Sequence, residues 1–263
     1  MLLGSTFDAV AIELSVCASH PAALFSRETA ALLSDISRAQ VVCVGPPADA
    51  DSLEAVIEAI ESERRLLSVE RWVFWGMSGG SFLGQLYARQ HPDVLAGLIL
   101  ASSGPYFRPT VEDPSCILCP RHPAWRERLA AINLLDGERD VGATEWQVVE
   151  GVGWVFRRAG GAALLVSPEE PSVELRRMMM PALWTFDARS WLTEVQVPAL
   201  VMCGSLDPIV PLAHARALAN LLPAAEFKII EGAGHIPLVD HRLEVEDAVR
   251  GFLSRCVQRI KSM

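Results

Sequence analysis

Apolar runs bounded by turn residues recur along this chain, and most lack the polar alternation of a half-exposed strand. Residues 10–16, 41–44, 72–75, 98–101, 199–203 and 227–230 read as strands covered on both faces. Helical patterns lie between them. Residues 51–67 place Leu53, Val56, Ile57, Ile60 and Leu67 at helical spacing, and Asp51 with Glu54 three positions on makes a capping start. Residues 81–90 carry Phe82, Leu83, Leu86 and Tyr87 on one side, and 211–222 and 243–257 are also helix-like. Strand alternating with helix predicts an α/β fold, with a mostly parallel central sheet of about six strands and helices on both faces.

The alternation breaks between residues 105 and 191. That stretch offers helix candidates at 124–135, 144–158 and 173–183, no clear strand, and five of the seven tryptophans (Trp125, Trp146, Trp154, Trp184 and Trp191). The strand pattern resumes at Val197. The natural partition is a core of residues 1–104 and 192–263 with a helical insertion at 105–191. The plainer alternative is that these helices cover one end of the sheet.

The pattern also locates chemistry. The apolar run at 72–75 ends in Gly76-Met77-Ser78-Gly79-Gly80, which fits G-x-S-x-G, and a helix follows. Strand, tight glycine-flanked serine and helix are the context of a nucleophile elbow, where the hydroxyl projects from a strained turn between small neighbours. The plain alternative is a glycine-rich strand-to-helix turn. A serine hydroxyl is a weak nucleophile until a base takes its proton, and the base needs an acid to orient it. Asp207 lies in the turn after the strand at 199–203, at the strand end where catalytic groups of parallel sheets gather. The competing reading is a turn aspartate bonding its own backbone. The other acid position, after the strand at 98–101, holds Ser102-Ser103-Gly104-Pro105 and no carboxylate. His235 follows the last strand in Gly232-Ala233-Gly234-His235. The other histidines fit less well: His91 and His122 precede prolines, His214 lies in a helix, His241 adjoins the last helix, and His20 is in a loop after the first strand.

In this order and spacing the three motifs resemble the α/β-hydrolase fold over nearly the whole chain. Gly76–Gly80 resembles the elbow, the segment from Gly204 to Pro211 the acid loop, and Gly232–His235 the histidine loop. The resemblance implies Ser78, Asp207 and His235 as a catalytic triad and the 105–191 insertion as a lid that shapes the substrate pocket. It also implies an oxyanion hole built from the N–H of Gly79 and a second N–H after an early strand. There the usual His-Gly is replaced by Cys17-Ala18, so Ser19 or Ala18 is the expected second donor. His20, Met77, Trp154, Met179 and Trp184 are the expected pocket residues.

The implied reaction is hydrolysis of a carboxylic ester, lactone or thioester through an acyl-enzyme, slowing as His235 protonates in mild acid. Non-hydrolytic biosynthetic steps (lyase or cyclase), a ligand receptor, C–C bond hydrolysis and proline-iminopeptidase-like activity are alternatives on the same fold. The peptidase reading is weakened because its His-Gly-Gly-Pro-Gly loop is missing.

Composition narrows this picture. The chain has 263 residues, 51% of them apolar, which allows one large α/β domain with an insertion. Its formal charge of −9 argues against general nucleic-acid binding. Without a long apolar run or a basic leader, no membrane span or secretory segment is expected, and a cytoplasmic location is. The six cysteines are scattered, which fits free thiols in a reducing compartment. Cys116-Ile-Leu-Cys119 with His122 has metal-like spacing but lacks an obvious fourth ligand. No metal or cofactor is expected, and the expected partner is a small acyl substrate.

Overall fold

The computed structural model describes residues 15–19, 34–35, 40–44, 47, 50, 52–117, 119, 121–123 and 181–262. Among them, six strands form one sheet in which every pairing is parallel: β1 (Ser15–Ser19), β2 (Gln40–Cys43), β3 (Trp72–Met77), β4 (Leu95–Ala101), β5 (Ala199–Gly204) and β6 (Ala225–Ile230), in the order β2-β1-β3-β4-β5-β6. The order reverses between β1 and β3, and such a switch point opens a crevice at the strands' carboxyl ends.

The helices are α1 (Leu53–Leu66), α2 (Gly79–Gln90), a short α3 (Arg108–Glu112), α4 (Leu212–Leu221), α5 (Pro237–Asp240) and α6 (Arg242–Ser262). Ser52 caps α1, its side chain accepting from the Ala55 N–H at 3.2 Å. The predicted cap, Asp51, lies outside the described residues.

The unbroken apolar runs explain how the sheet is buried on both sides. Along β3, Val73, Trp75 and Met77 enter one core cluster with Val245, Val249 and Phe252 of α6. Trp72 and Phe74 enter the other, with Val56, Ile57 and Ile60 of α1 and Leu83 and Tyr87 of α2. Period-two alternation thus feeds two cores from one strand. Between α1 and α2, Tyr87 Oη donates to Glu61 at 2.7 Å, and Arg64 pairs with the same carboxylate at 2.6 Å. Arg64 above all holds the Glu61 carboxyl down at about 2, with the Tyr87 hydroxyl assisting against the cost of burial.

After β4 the chain leaves the sheet and returns beside its point of departure. Tyr106 and Asp187 form an antiparallel bridge. The Phe107 N–H donates to the Phe186 carbonyl at 3.2 Å, and the Ala188 N–H to Pro105 at 2.8 Å. Residues 105–191 therefore begin and end at a common neck. The helix candidates at 124–135 and 144–158 lie outside the described residues, as does most of 173–183.

Several strand ends differ from the reading above by two or three residues, and β1, which pairs with β3 beside the elbow, is one of them. β1 runs from Ser15 to Ser19, whereas the apolar pattern places the first strand at 10–16; residues 10–14 are outside the described set. The extension is set by register. Cys17, Ala18 and Ser19 pair with Phe74, Trp75 and Gly76 of β3, and this pairing carries the strand past Val16.

Candidate active site

The sequence around Ser78 can fold in few ways. β3 ends at Met77 and α2 begins at Gly79, so Ser78 must turn the chain alone. It does so at φ 51° and ψ −118°, a conformation that costs a non-glycine residue on the order of 1–3 kcal/mol. Hydrogen bonds hold it there. The Ser78 N–H donates to the Ala101 carbonyl at 2.9 Å, and buried Ser81 places its hydroxyl 2.9 Å from the Gly76 carbonyl and 3.1 Å from that of Ala101. Gly76 is required by close approach: a Cβ there would stand 2.4 Å from the Gly80 carbonyl oxygen.

The acid and histidine loops are stitched together by their backbones. Ser205 N–H donates to Ile230 at 3.0 Å and Leu206 N–H to Ala233 at 2.9 Å. The Gly232 N–H donates to the Ser205 hydroxyl at 2.9 Å. Gly204 lies so near the second loop that a Cβ would meet the Gly234 and Ala233 carbonyl oxygens at 2.2 and 2.3 Å. This contact seats Asp207 beside His235.

The three side chains form a continuous chain. His235 Nε2 lies 3.1 Å from Ser78 Oγ, and His235 Nδ1 lies 3.0 and 2.9 Å from the two oxygens of Asp207. Asp207 Oδ1 also accepts the N–H groups of Ile209 at 2.8 Å and Val210 at 2.9 Å. These donors fix the orientation of the carboxylate against His235. Asp207 and His235 are buried, while Ser78 and Gly79 are half-buried. As the first residue of a twelve-residue helix, Gly79 has an N–H with no acceptor inside α2, and the helix dipole adds positive potential there.

Ala18 lies within β1, between β2 and β3, where the two ladders take up backbone groups. Ser19 is the last residue of β1, opposite Gly76. Met77 is buried in the core beneath the turn. Trp184 is half-buried near the neck, with its ring 6.1 Å from that of Phe107. His20, Trp154 and Met179 lie outside the described residues.

Cys116, Cys119, Cys203 and Cys256 are buried thiols outside any disulfide. Burial, with the Asp207 carboxylate nearby, pushes the Cys203 thiol far up and keeps it neutral. Burial pushes that of Cys256 up to about 12. Among the described residues, no group of three or more His, Cys, Asp or Glu side chains is arranged to hold a metal ion, and no helix is long and apolar enough to cross a membrane. The pattern did not single out Ser81 or the N–H pair of Ile209 and Val210. Ser81 sits three residues past Ser78 on the first turn of α2, a spacing that points its side chain back at the elbow.

Comparison with known proteins agrees with this architecture. Residues 176–242 match the family model described as alpha/beta hydrolase fold. The chain is 30% identical over 220 residues to a pimeloyl-[acyl-carrier protein] methyl ester esterase of Aromatoleum aromaticum, covering 79% of this chain and 84% of that one. A protein of the same name from Serratia marcescens is 26% identical, with coverage of 70% and 69%. Among solved structures, an alpha/beta fold family hydrolase from Bacillus anthracis superposes with a TM-score of 0.73 at 19% identity, covering 91% of each chain. The chain belongs to the α/β-hydrolase-fold family.

Proposed function

We propose that this protein is a carboxylic ester hydrolase that works through a serine acyl-enzyme, with Ser78, His235 and Asp207 as its triad. The observation that carries the reading is the unbroken contact from Ser78 Oγ through both nitrogens of His235 to Asp207. Kinship with two proteins named as esterases supports the ester. Lactones and thioesters call for the same steps and belong to the same reading. The relatives' names make a small-alcohol ester of an acyl chain the first substrate to try.

Ser78 Oγ attacks the acyl carbonyl while His235 Nε2 takes its proton. Asp207, ionised and held by two backbone donors, keeps His235 in the tautomer with a proton on Nδ1 and stabilises the imidazolium. The Gly79 N–H receives the developing oxyanion, and the end of β1 supplies the second donor, with Ser19 the nearer of the two original candidates. His235 returns the proton to the leaving alcohol. It then draws a proton from water, which adds to the acyl-enzyme and frees Ser78. No cofactor enters this sequence.

Residues 105–191 act as a lid in this reading, since they leave and rejoin the core at one neck. They carry Trp184, Trp154 and Met179 toward the acyl pocket, which His20 helps line. The location is cytoplasmic. The test is turnover of a short-chain aryl ester, a thioester and a lactone by the parent protein and Ser78→Ala. Hydrolysis that vanishes in the variant supports the reading, and hydrolysis that persists sinks it. Labelling of Ser78 without turnover of any of the three would favour a receptor or biosynthetic role.

A further inference from the structure

Outside the candidate site, the segment that opens the excursion grips the loop bearing Asp207. The Ile117 N–H donates to the Pro208 carbonyl at 2.7 Å, and the Cys116 thiol donates to the Ile209 carbonyl at 2.9 Å. These two carbonyls belong to the peptide units whose N–H groups, of Ile209 and Val210, hold Asp207 Oδ1. Each unit therefore donates to the acid on one side and accepts from the 113–117 turn on the other. Hydrogen bonds in such chains polarise and strengthen one another.

A second contact fixes the element that follows. His214, in the first turn of α4, is buried and meets Asp113 Oδ2 at 2.8 Å through Nε2. Its Nδ1 meets the Tyr106 hydroxyl at 3.0 Å. Asp113 in turn accepts from the Ser115 N–H at 2.8 Å and the Ser115 hydroxyl at 2.6 Å. The acid loop is thus bracketed at residues 208–209 and again at residue 214 by one turn of the outgoing neck.

We propose that the 113–117 turn is a positioning element for the acid: Cys116 and Ile117 orient the two peptide units that hold Asp207, and Asp113 pins His214 so that α4 cannot carry the loop away. The inference rests on the triad reading above. Because this turn opens the 105–191 excursion, a displacement of the neck is passed to Asp207 through two peptide units.

The test compares Cys116→Ala, which removes the donor, Cys116→Ser, which keeps one, and Asp113→Ala, which releases His214. Four quantities are read: kcat and KM on an ester the parent turns over, the far-downfield proton resonance of His235 Nδ1–H, and the melting temperature. Misplacing a catalytic group by an ångström can cost a hundredfold, so a partial loosening predicts a fall in kcat of about tenfold with KM within about twofold in Cys116→Ala and Asp113→Ala. The resonance shifts or broadens in both, and Cys116→Ser recovers most of the rate and the parent resonance. Parent-like kcat and resonance in folded Cys116→Ala or Asp113→Ala overturns the proposal, as does a loss that follows melting temperature while the resonance stays put. Asp113 is half-buried, so its variant decides the matter if Cys116→Ala does not fold. If Ser78→Ala retains activity the triad reading fails separately, because the resonance reports the Asp207–His235 contact without turnover.

Discussion

Asp–His–hydroxyl chains occur twice among the described residues, and they share little beyond an aspartate, a histidine and a hydroxyl. In the first, Asp207 meets His235 Nδ1 and Ser78 meets Nε2. In the second, Asp113 meets His214 Nε2 and Tyr106 meets Nδ1. The Asp207 side chain is fully buried and held by two backbone N–H groups, whereas that of Asp113 is 29% exposed and held by its neighbour Ser115. Ser78 sits at positive φ on the tip of an elbow beside a helix N-terminus. Tyr106 sits in an antiparallel bridge with Arg189 stacked on its ring at 4.9 Å, and burial raises its hydroxyl above the ordinary value. The comparison teaches that a constellation of types does not make a nucleophile. In the proposed reading, the strained elbow and the preorganised donors around it set Ser78 apart.

Substituting the two hydroxyls separates the chains most sharply. Ser78→Ala should lower kcat by about a millionfold, as loss of a triad nucleophile does elsewhere. Tyr106→Phe should leave kcat within about threefold and cost about 1 kcal/mol of stability for one hydrogen bond. Steady-state kinetics and chemical denaturation of both variants check this, and comparable rate losses would erase the distinction.

The acids come next. Asp207→Asn should cost about ten-thousandfold in kcat by favouring the wrong histidine tautomer. Asp113→Asn keeps an acceptor for His214 and should stay within about threefold of parent. A smaller effect is expected from the stitching of the two loops. Gly204→Ala forces a methyl against two carbonyl oxygens. It should destabilise the protein by about 1–3 kcal/mol and lower kcat by about a hundredfold if the loops separate by an ångström. A melting curve read beside the kinetics distinguishes the two contributions.

What was legible in the sequence follows the same divide. The sheet could be read because strands buried on both faces must be apolar throughout, and the Gly76–Gly80 elbow because a sharp turn admits few residues. The contact of Ser78 with His235 and Asp207 could be anticipated because a nucleophilic serine would need a base and an acid at strand ends. The C-terminal end of β1 could not, since its pairing with β3 through Ser19 opposite Gly76 carries it past Val16. Nor could the Asp113–His214 contact, which joins residues 101 positions apart by side chains alone. His214 looked like an ordinary helix residue, and nothing in its local sequence marks the partner. Cys116 was conspicuous for its spacing to Cys119, but its hydrogen bond to Ile209 reflects tertiary packing.

The central claim is that Ser78 is activated by the first chain and that no hydroxyl of the second is. Treatment with a fluorophosphonate probe, followed by mapping of the modified peptide, tests it most directly. The account predicts rapid, single-site phosphonylation of Ser78 in the parent, strongly slowed in Asp207→Asn and close to parent in Asp113→Asn. Labelling that spares Ser78, or that is indifferent to Asp207→Asn, would contradict it.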